Sequence, residues 1–246
     1  AISKLKLKQI HIVHDIQLIH PSGLLLFGQE NTINGQWSRN YAGVSSRIFA
    51  SPKIVIFPSR WLMNIYLDKI FFIKSKRTVL ANPVALRETA EPKKIDTNFK
   101  FLYLGQIEEH KGVNLLIQAF KKVKEKFPEA ELIIAGRGSA LEQSKLEAGQ
   151  NEGIKFLGRQ DETAVNQLLN TCACLVLPTL CYENCPAVIL EAFGAGLPVI
   201  AADLGGISEL IGPPARLARL DSARLADAPA KRAGEAGETA GILFRP

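Results

Sequence analysis

Between residues 98 and 211 short apolar runs alternate with amphipathic stretches so regularly that the chain is expected to form a parallel sheet covered on both faces. The runs FKFLYLG (99–105), AELIIAG (130–136), IKFLG (154–158), CLVLPT (174–179) and PVIAAD (198–203) read as strands. Helices fall between them. The clearest runs from Val113 to Phe127, with Val113, Leu116, Ile117, Phe120, Val123 and Phe127 at helical spacing and Lys121, Lys122, Lys124 and Glu125 outside. Pro128 stops it. In open sheets of this kind ligands bind beyond the carboxyl ends of the strands, so the loops after 105, 136, 158 and 179 are expected to line one crevice.

Residues 9–97 read as the end of another strand–helix domain. IHIVHD (10–15) reads as a buried strand, KIVIFPS (53–59) as a second and TVLANPV (78–84) as a third, with a helix from Arg60 to Lys69 that Ser59 caps. RETAEPKKIDTN (87–98) is polar and poorly periodic, which fits a hinge. The expected division is a first domain over 1–86, a linker over 87–98 and a second domain over 99–246. With 246 residues and 47% hydrophobic content, the chain has ample material for such cores.

A formal charge of +6 raises the question of an anionic partner. Nothing resembles a zinc finger, an RNA-recognition motif or a basic zipper, and 7% aromatic residues give no stacking platform, so nucleic acid is excluded. Lysine-rich stretches such as KLKLK (4–8) and KKVKEK (121–126) leave two readings, peripheral contact with an anionic membrane or solvated helix faces. No apolar run reaches 18 residues, so a cytoplasmic location is expected, with the inner membrane face as its margin. Cys172, Cys174, Cys181 and Cys185 lack the paired spacing of structural zinc sites, so no metal and no disulfide is expected.

Chemistry concentrates in YENCPAVILEAFGAGLPVIAADLGGISELI (182–211). Pro186 fits the first turn of a helix, so Ala187 to Ala195 read as helix and Asn184, Cys185, Pro186 and Ala187 as its N-terminal turn. Unsatisfied amides and a partial positive charge of about half an electron suit a diphosphate there. Glu183 precedes the turn, and Glu191 lies about two turns along at ~1.5 Å per residue. Two solvated carboxylates are one reading. The other is a nucleotide-sugar ligand, with Glu183 accepting from the sugar and Glu191 from the ribose. Upstream, Lys111 opens a helix beside the crevice, where it can neutralise a diphosphate leaving group, and Gly136 and Gly138 let backbone pass close to a nucleotide.

The run E-x7-E followed by EAFGAGLPVIAADLGGISEL closely resembles the donor-site signature of the retaining glycosyltransferases of family 4. Glu183, Pro186, Glu191, Ala192, Gly196, Pro198, Val199, Gly205, Gly206 and Glu209 carry the resemblance, which extends from about His14 to Leu210. It implies an α/β chain of GT-B type, with two Rossmann-like domains and parallel sheets, the first domain incomplete at its N-terminus. It implies transfer of a sugar from a nucleoside-diphosphate-sugar to a hydroxyl of a glycan or lipid-linked acceptor, with no tightly bound cofactor and no metal. His14, followed at the family's spacing by Gly23, is then a sugar contact, and Gly158 with Arg159 is where the family holds the base through its backbone. Asn184 and Cys185 are expected to present amides to the ligand. Glu209 commonly supports its own turn in that family. One position departs: Gln106 stands where relatives carry Arg; it can donate a hydrogen bond but brings no charge, so leaving-group stabilisation is either weaker or comes from Arg137 or Arg159.

Residues 213–239 are Ala- and Arg-rich and unlike either flank, an inserted helical excursion or a stretch read in another frame. No chemistry is assigned to them. A nucleotide-sugar epimerase on the same fold and a non-catalytic nucleotide-sugar binder stay open as alternative functions.

Overall fold

The computed structural model describes residues 8–84, 99–211 and 241–244. The linker expected at 87–98 and the segment 213–239 lie outside the described residues. In chain order the elements are β1 (Ile10–Ile12), a 3₁₀ turn (Glu30–Asn34), α1 (Gln36–Phe49), β2 (Ile54–Phe57), α2 (Arg60–Asp68) and β3 (Lys76–Val79). Then come β4 (Lys100–Leu104), a second 3₁₀ turn (Glu109–Lys111), α3 (Val113–Lys126), β5 (Glu131–Ala135), α4 (Leu141–Ala148) and β6 (Ile154–Gly158). The last elements are α5 (Glu162–Thr171), β7 (Cys174–Leu177), α6 (Ala187–Gly194), β8 (Val199–Ala202), α7 (Ile207–Ile211) and β9 (Gly241–Phe244).

The chain divides into two compact units, and the division is not a single cut. Among the described residues the first unit holds 8–83 together with Leu180–Ala187 and Leu204–Glu209, and the second holds 84, 99–179, Val188–Asp203, 210–211 and 241–244.

In the first unit β1, β2 and β3 pair in parallel in that order, with Ile10 opposite Ile54 and Ile54 opposite Lys76. Its core is built from Val13, Ile16, Val55, Phe57, Leu62 and Tyr66, with Phe71 and Phe72 beside them. Burial raises the Tyr66 hydroxyl above the usual phenol range, and that hydroxyl donates to the Asp15 carbonyl at 2.8 Å. Ser59 caps α2 as expected, its side chain accepting from the Leu62 amide. Two expectations need correction. The segment 10–15 is not a buried strand: β1 spans three residues at the sheet edge, and Ile10 and Ile12 are 61% and 51% exposed. The third strand ends at Val79, not at 84, because the Asn82 amide is turned to the Cys185 sulfur and Pro83 has no N–H for a ladder.

The second unit is a six-stranded parallel sheet in the order β6-β5-β4-β7-β8-β9, so the chain reverses direction across the sheet between β4 and β7. That is the doubly wound order, with its topological switch point at the carboxyl ends of those two strands. α3 buries Val113, Leu116, Ile117 and Phe120 against Tyr103, Leu132 and Ile134 of the sheet. None of the four cysteines is in a disulfide; Cys172, Cys181 and Cys185 are buried and Cys174 is half-buried. Burial pushes the Cys174 thiol up to about 12, so at pH 8 only about one molecule in ten thousand carries its thiolate. A disulfide-exchange reagent at pH 8 is therefore expected to titrate fewer than one thiol per folded chain and all four after denaturation; rapid titration of two or more in the folded protein would contradict this packing.

Candidate functional site

In the second unit the strand-end loops at the switch point are built on one another. The Gly105 amide donates to the Ala135 carbonyl at 3.1 Å and the Ile107 amide to the Arg137 carbonyl at 2.9 Å. A Cβ at Gly136 would run into the Gly105 carbonyl oxygen, and one at Gly138 into that of Ile107. Both glycines are thus required by loop-on-loop packing, whatever ligand approaches them. Tyr103, buried in the sheet, donates its hydroxyl to the Gln106 carbonyl at 2.5 Å, which leaves the Gln106 side chain exposed. The amide and hydroxyl of Ser139 both donate to the Glu108 carboxylate, and these bonds hold its carboxyl below the usual range.

Lys111 closes the 3₁₀ turn directly before Gly112, which caps α3 in the left-handed conformation at φ 72°. Only glycine takes that conformation without strain, so the KG pair fixes where α3 begins. Thr179, at the end of the loop leaving β7, donates to the His110 carbonyl at 3.4 Å, so the turn that carries Lys111 is fastened across the switch point. Gly158 closes β6 with φ +68° and accepts from the Gly136 amide at 2.8 Å, with open space where a Cβ would stand. Arg137, Arg159 and Glu191 are exposed, Glu191 on α6. α6 begins at Ala187, directly after Pro186, and ends at Gly194, one residue short of the expected end.

In the first unit the stretch Leu180–Ala187 is stitched down almost residue by residue. Cys181 forms an antiparallel bridge with Leu26, through Phe27 N–H to the Leu180 carbonyl and Tyr182 N–H to the Leu25 carbonyl. The Tyr182 ring stacks on Trp61 with centroids 5.6 Å apart and an interplanar angle of 5°. Its hydroxyl donates to Glu30 Oε1 at 2.8 Å, and with the Glu30 and Gly28 amides it holds the Glu30 carboxyl below the usual range. Glu183 forms a parallel bridge with Gly205, its carbonyl accepting from the Gly206 amide at 2.7 Å, while the Cys181 thiol donates to Glu183 Oε1 at 3.7 Å. Asn184 Nδ2 donates to the His14 carbonyl at 2.5 Å. Asn82 Nδ2 donates to the Cys185 carbonyl at 3.0 Å.

The Gly205-Gly206 turn has no room for side chains: a Cβ on either would strike the backbone of Glu183 or Asn184. Beyond it, the Glu209 carboxylate accepts from the Arg60 amide at 2.8 Å and the Trp61 amide at 2.6 Å. Those are the first free N–H groups of α2, a position where a carboxylate is favoured.

The two units therefore share out the expected residues. His14, Glu183, Asn184, Cys185, Pro186 and Ala187 fall in the first, and Asn184 ties its loop to the strand end at His14. Gln106, Lys111, Gly136, Gly138, Gly158, Arg159 and Glu191 fall in the second. Sequence reading missed Asn82, Glu30, Tyr182 and Glu108, whose partners are remote or loop-borne, and it gave Glu209 only a local turn to support. Among the described residues no three His, Cys, Asp or Glu side chains converge as a metal site, and no helix is long and apolar enough to cross a membrane.

Residues 87–217 match the family described as glycosyl transferases group 1. A phosphatidyl-myo-inositol mannosyltransferase of Mycobacterium leprae is 34% identical over 131 residues, 52% of this chain and 35% of that protein. A glycogen synthase of Mycobacterium tuberculosis is 32% identical over 115 residues, 46% of this chain and 28% of that protein. The matches thus span about a third of the length of these curated relatives. Among solved structures, HepE of Anabaena in complex with UDP and glucose aligns over 96% of this chain and 57% of its own, with a TM-score of 0.66 and 18% identity. Sucrose-phosphate synthase of Thermosynechococcus elongatus aligns over 99% of this chain and 57% of its own, at 0.68 and 17%.

Proposed function

Since the chain belongs to the glycosyl transferases group 1 family and has the α/β GT-B fold of its structural neighbours, we propose that it moves a hexose from a nucleoside-diphosphate-sugar to a hydroxyl acceptor, with retention, in cell-surface glycan synthesis. The observation that carries this reading is the bond from Thr179 to the His110 carbonyl, which fastens the turn ending in Lys111 at the β4/β7 switch point, where a doubly wound sheet takes its ligand. The solved HepE complex with UDP and glucose supports a donor of this class.

In this reading Lys111 and the amides of Asn184, Cys185 and Ala187 neutralise the diphosphate as it departs, so that no metal is required for that charge. Gln106 donates a hydrogen bond but brings no charge. Glu191 accepts from the ribose, Gly158 and Arg159 hold the base, and Gly136 and Gly138 keep the loops low beneath the nucleotide. Glu183 accepts from a hydroxyl of the transferred sugar and His14 donates to another. The acceptor attacks from the face the leaving group vacates, and the departing phosphate takes the acceptor's proton.

Lys111→Ala is expected to lower the transfer rate at least about tenfold and to weaken UDP or GDP binding in calorimetry, because a charged hydrogen bond to phosphate is worth about 1.5–3 kcal/mol. Unchanged turnover would remove Lys111 from the leaving-group role. Epimerised free donor in the absence of any acceptor would replace the transferase reading with an epimerase.

A further inference from the structure

We infer that Asn184 is a positioning residue, whose side chain acts on the transfer by setting His14 relative to Glu183. This rests on the reading above, in which Glu183 and His14 act on the same sugar. Three observations within the first unit carry it. Asn184 adjoins Glu183 in the chain, and its Nδ2 is committed to the His14 carbonyl 170 residues away. The peptide on either side of Asn184 is already fixed, by the Gly206 amide on the Glu183 carbonyl and by Asn82 on Cys185. His14 follows the last ladder bond of its strand, from the Val13 amide to the Ile56 carbonyl at 2.9 Å. On the side facing the Glu183 loop, the bond from Asn184 fastens its backbone. A small loss of register there displaces a sugar-contacting side chain, and rate is sensitive to displacements of that size. The N–H spent in this way is committed to the His14 backbone, which separates this bond from the neighbouring backbone amides proposed to bind a ligand.

A double-mutant cycle in the full-length protein tests this, with kcat and donor KM measured for Asn184→Ala, His14→Ala and the pair. The expected result is a fall in kcat of about tenfold for Asn184→Ala, the value of one hydrogen bond of about 1.4 kcal/mol, with donor KM unchanged. In the His14→Ala background, where the peptide carbonyl remains but the imidazole is gone, the same change should cost less than about twofold. Equal losses in both backgrounds, or a loss carried by donor KM, would overturn the inference. Asn184→Asp, which keeps the shape and cannot donate, is carried through the same cycle. A loss that follows a fall in melting temperature in both the Ala and Asp variants also overturns it. Full activity of His14→Ala alone would instead fault the assignment of His14 in the proposed reaction, a result the cycle reads separately.

Discussion

Glu183→Gln is expected to lower the transfer rate about a hundredfold or more while leaving the protein folded. The size follows from the proposed role: a carboxylate facing the sugar as positive charge develops on it contributes about 10²–10³, the effect of a single preorganised group. The retained fold follows from how the backbone of the residue is held. Its bridge to Gly205 and its bond from the Gly206 amide are made by the backbone, so an isosteric amide disturbs neither. The Cys181 thiol, a weak donor at 3.7 Å, can donate equally to the amide oxygen. Steady-state rates at saturating donor and a thermal melt of the same sample check the pair of statements. A Gln variant at full rate would show that the carboxylate touches nothing that reacts.

The second large effect is on folding. Gly136→Ala is expected to cost about 3 kcal/mol or more, in the range reserved for substitutions that force backbone apart. The new Cβ would overlap the Gly105 carbonyl oxygen, and neither loop can yield easily. Gly136 donates to Gly158, Gly105 donates to Ala135, and Ile107 donates to Arg137, so moving one loop breaks bonds to three strand ends. For a domain of this size that is a fall in melting temperature of about 6–12 °C, measurable by calorimetry. An alanine variant that melts like the parent would show that the loops have slack the structure does not display.

Strands β4 to β8 of the second unit were legible to within a residue or two because they are continuous apolar runs bounded by Gly, Pro or Asp, and α3 because its apolar residues recur at helical spacing. α1 was invisible for the opposite reason. It buries Ser38, Ala42 and Ser45 and leaves Trp37, Val44 and Ile48 exposed, so its buried face is not the one its large apolar residues mark. The helix start at Ala187 was legible from Pro186, and the cap of α2 from Ser59. What escaped was the attachment of Leu180–Ala187 to the first unit. Tyr182 meets Glu30 and Asn184 meets His14 across 152 and 170 residues, and no local spacing encodes a bond of that reach. Glu209 was visible as a conserved-looking turn residue by resemblance alone; that it serves the first turn of α2 depends on a fold that had first to exist.

The carboxylate of Glu209 on the Arg60 and Trp61 amides has a temporal consequence. Chains fold from the N-terminus as they leave the ribosome, at about 5–20 residues per second. Residues 8–83 emerge first, yet their helix α2 waits for an acceptor synthesised 149 residues later, after β4 to β8 have all been made. The unit that begins first is therefore still incomplete when five strands of the second have been made. An expression fragment cut before residue 180 would contain α2 without its distant cap, Trp61 without Tyr182 and Glu30 without its phenol, and would be a folding intermediate in place of a domain.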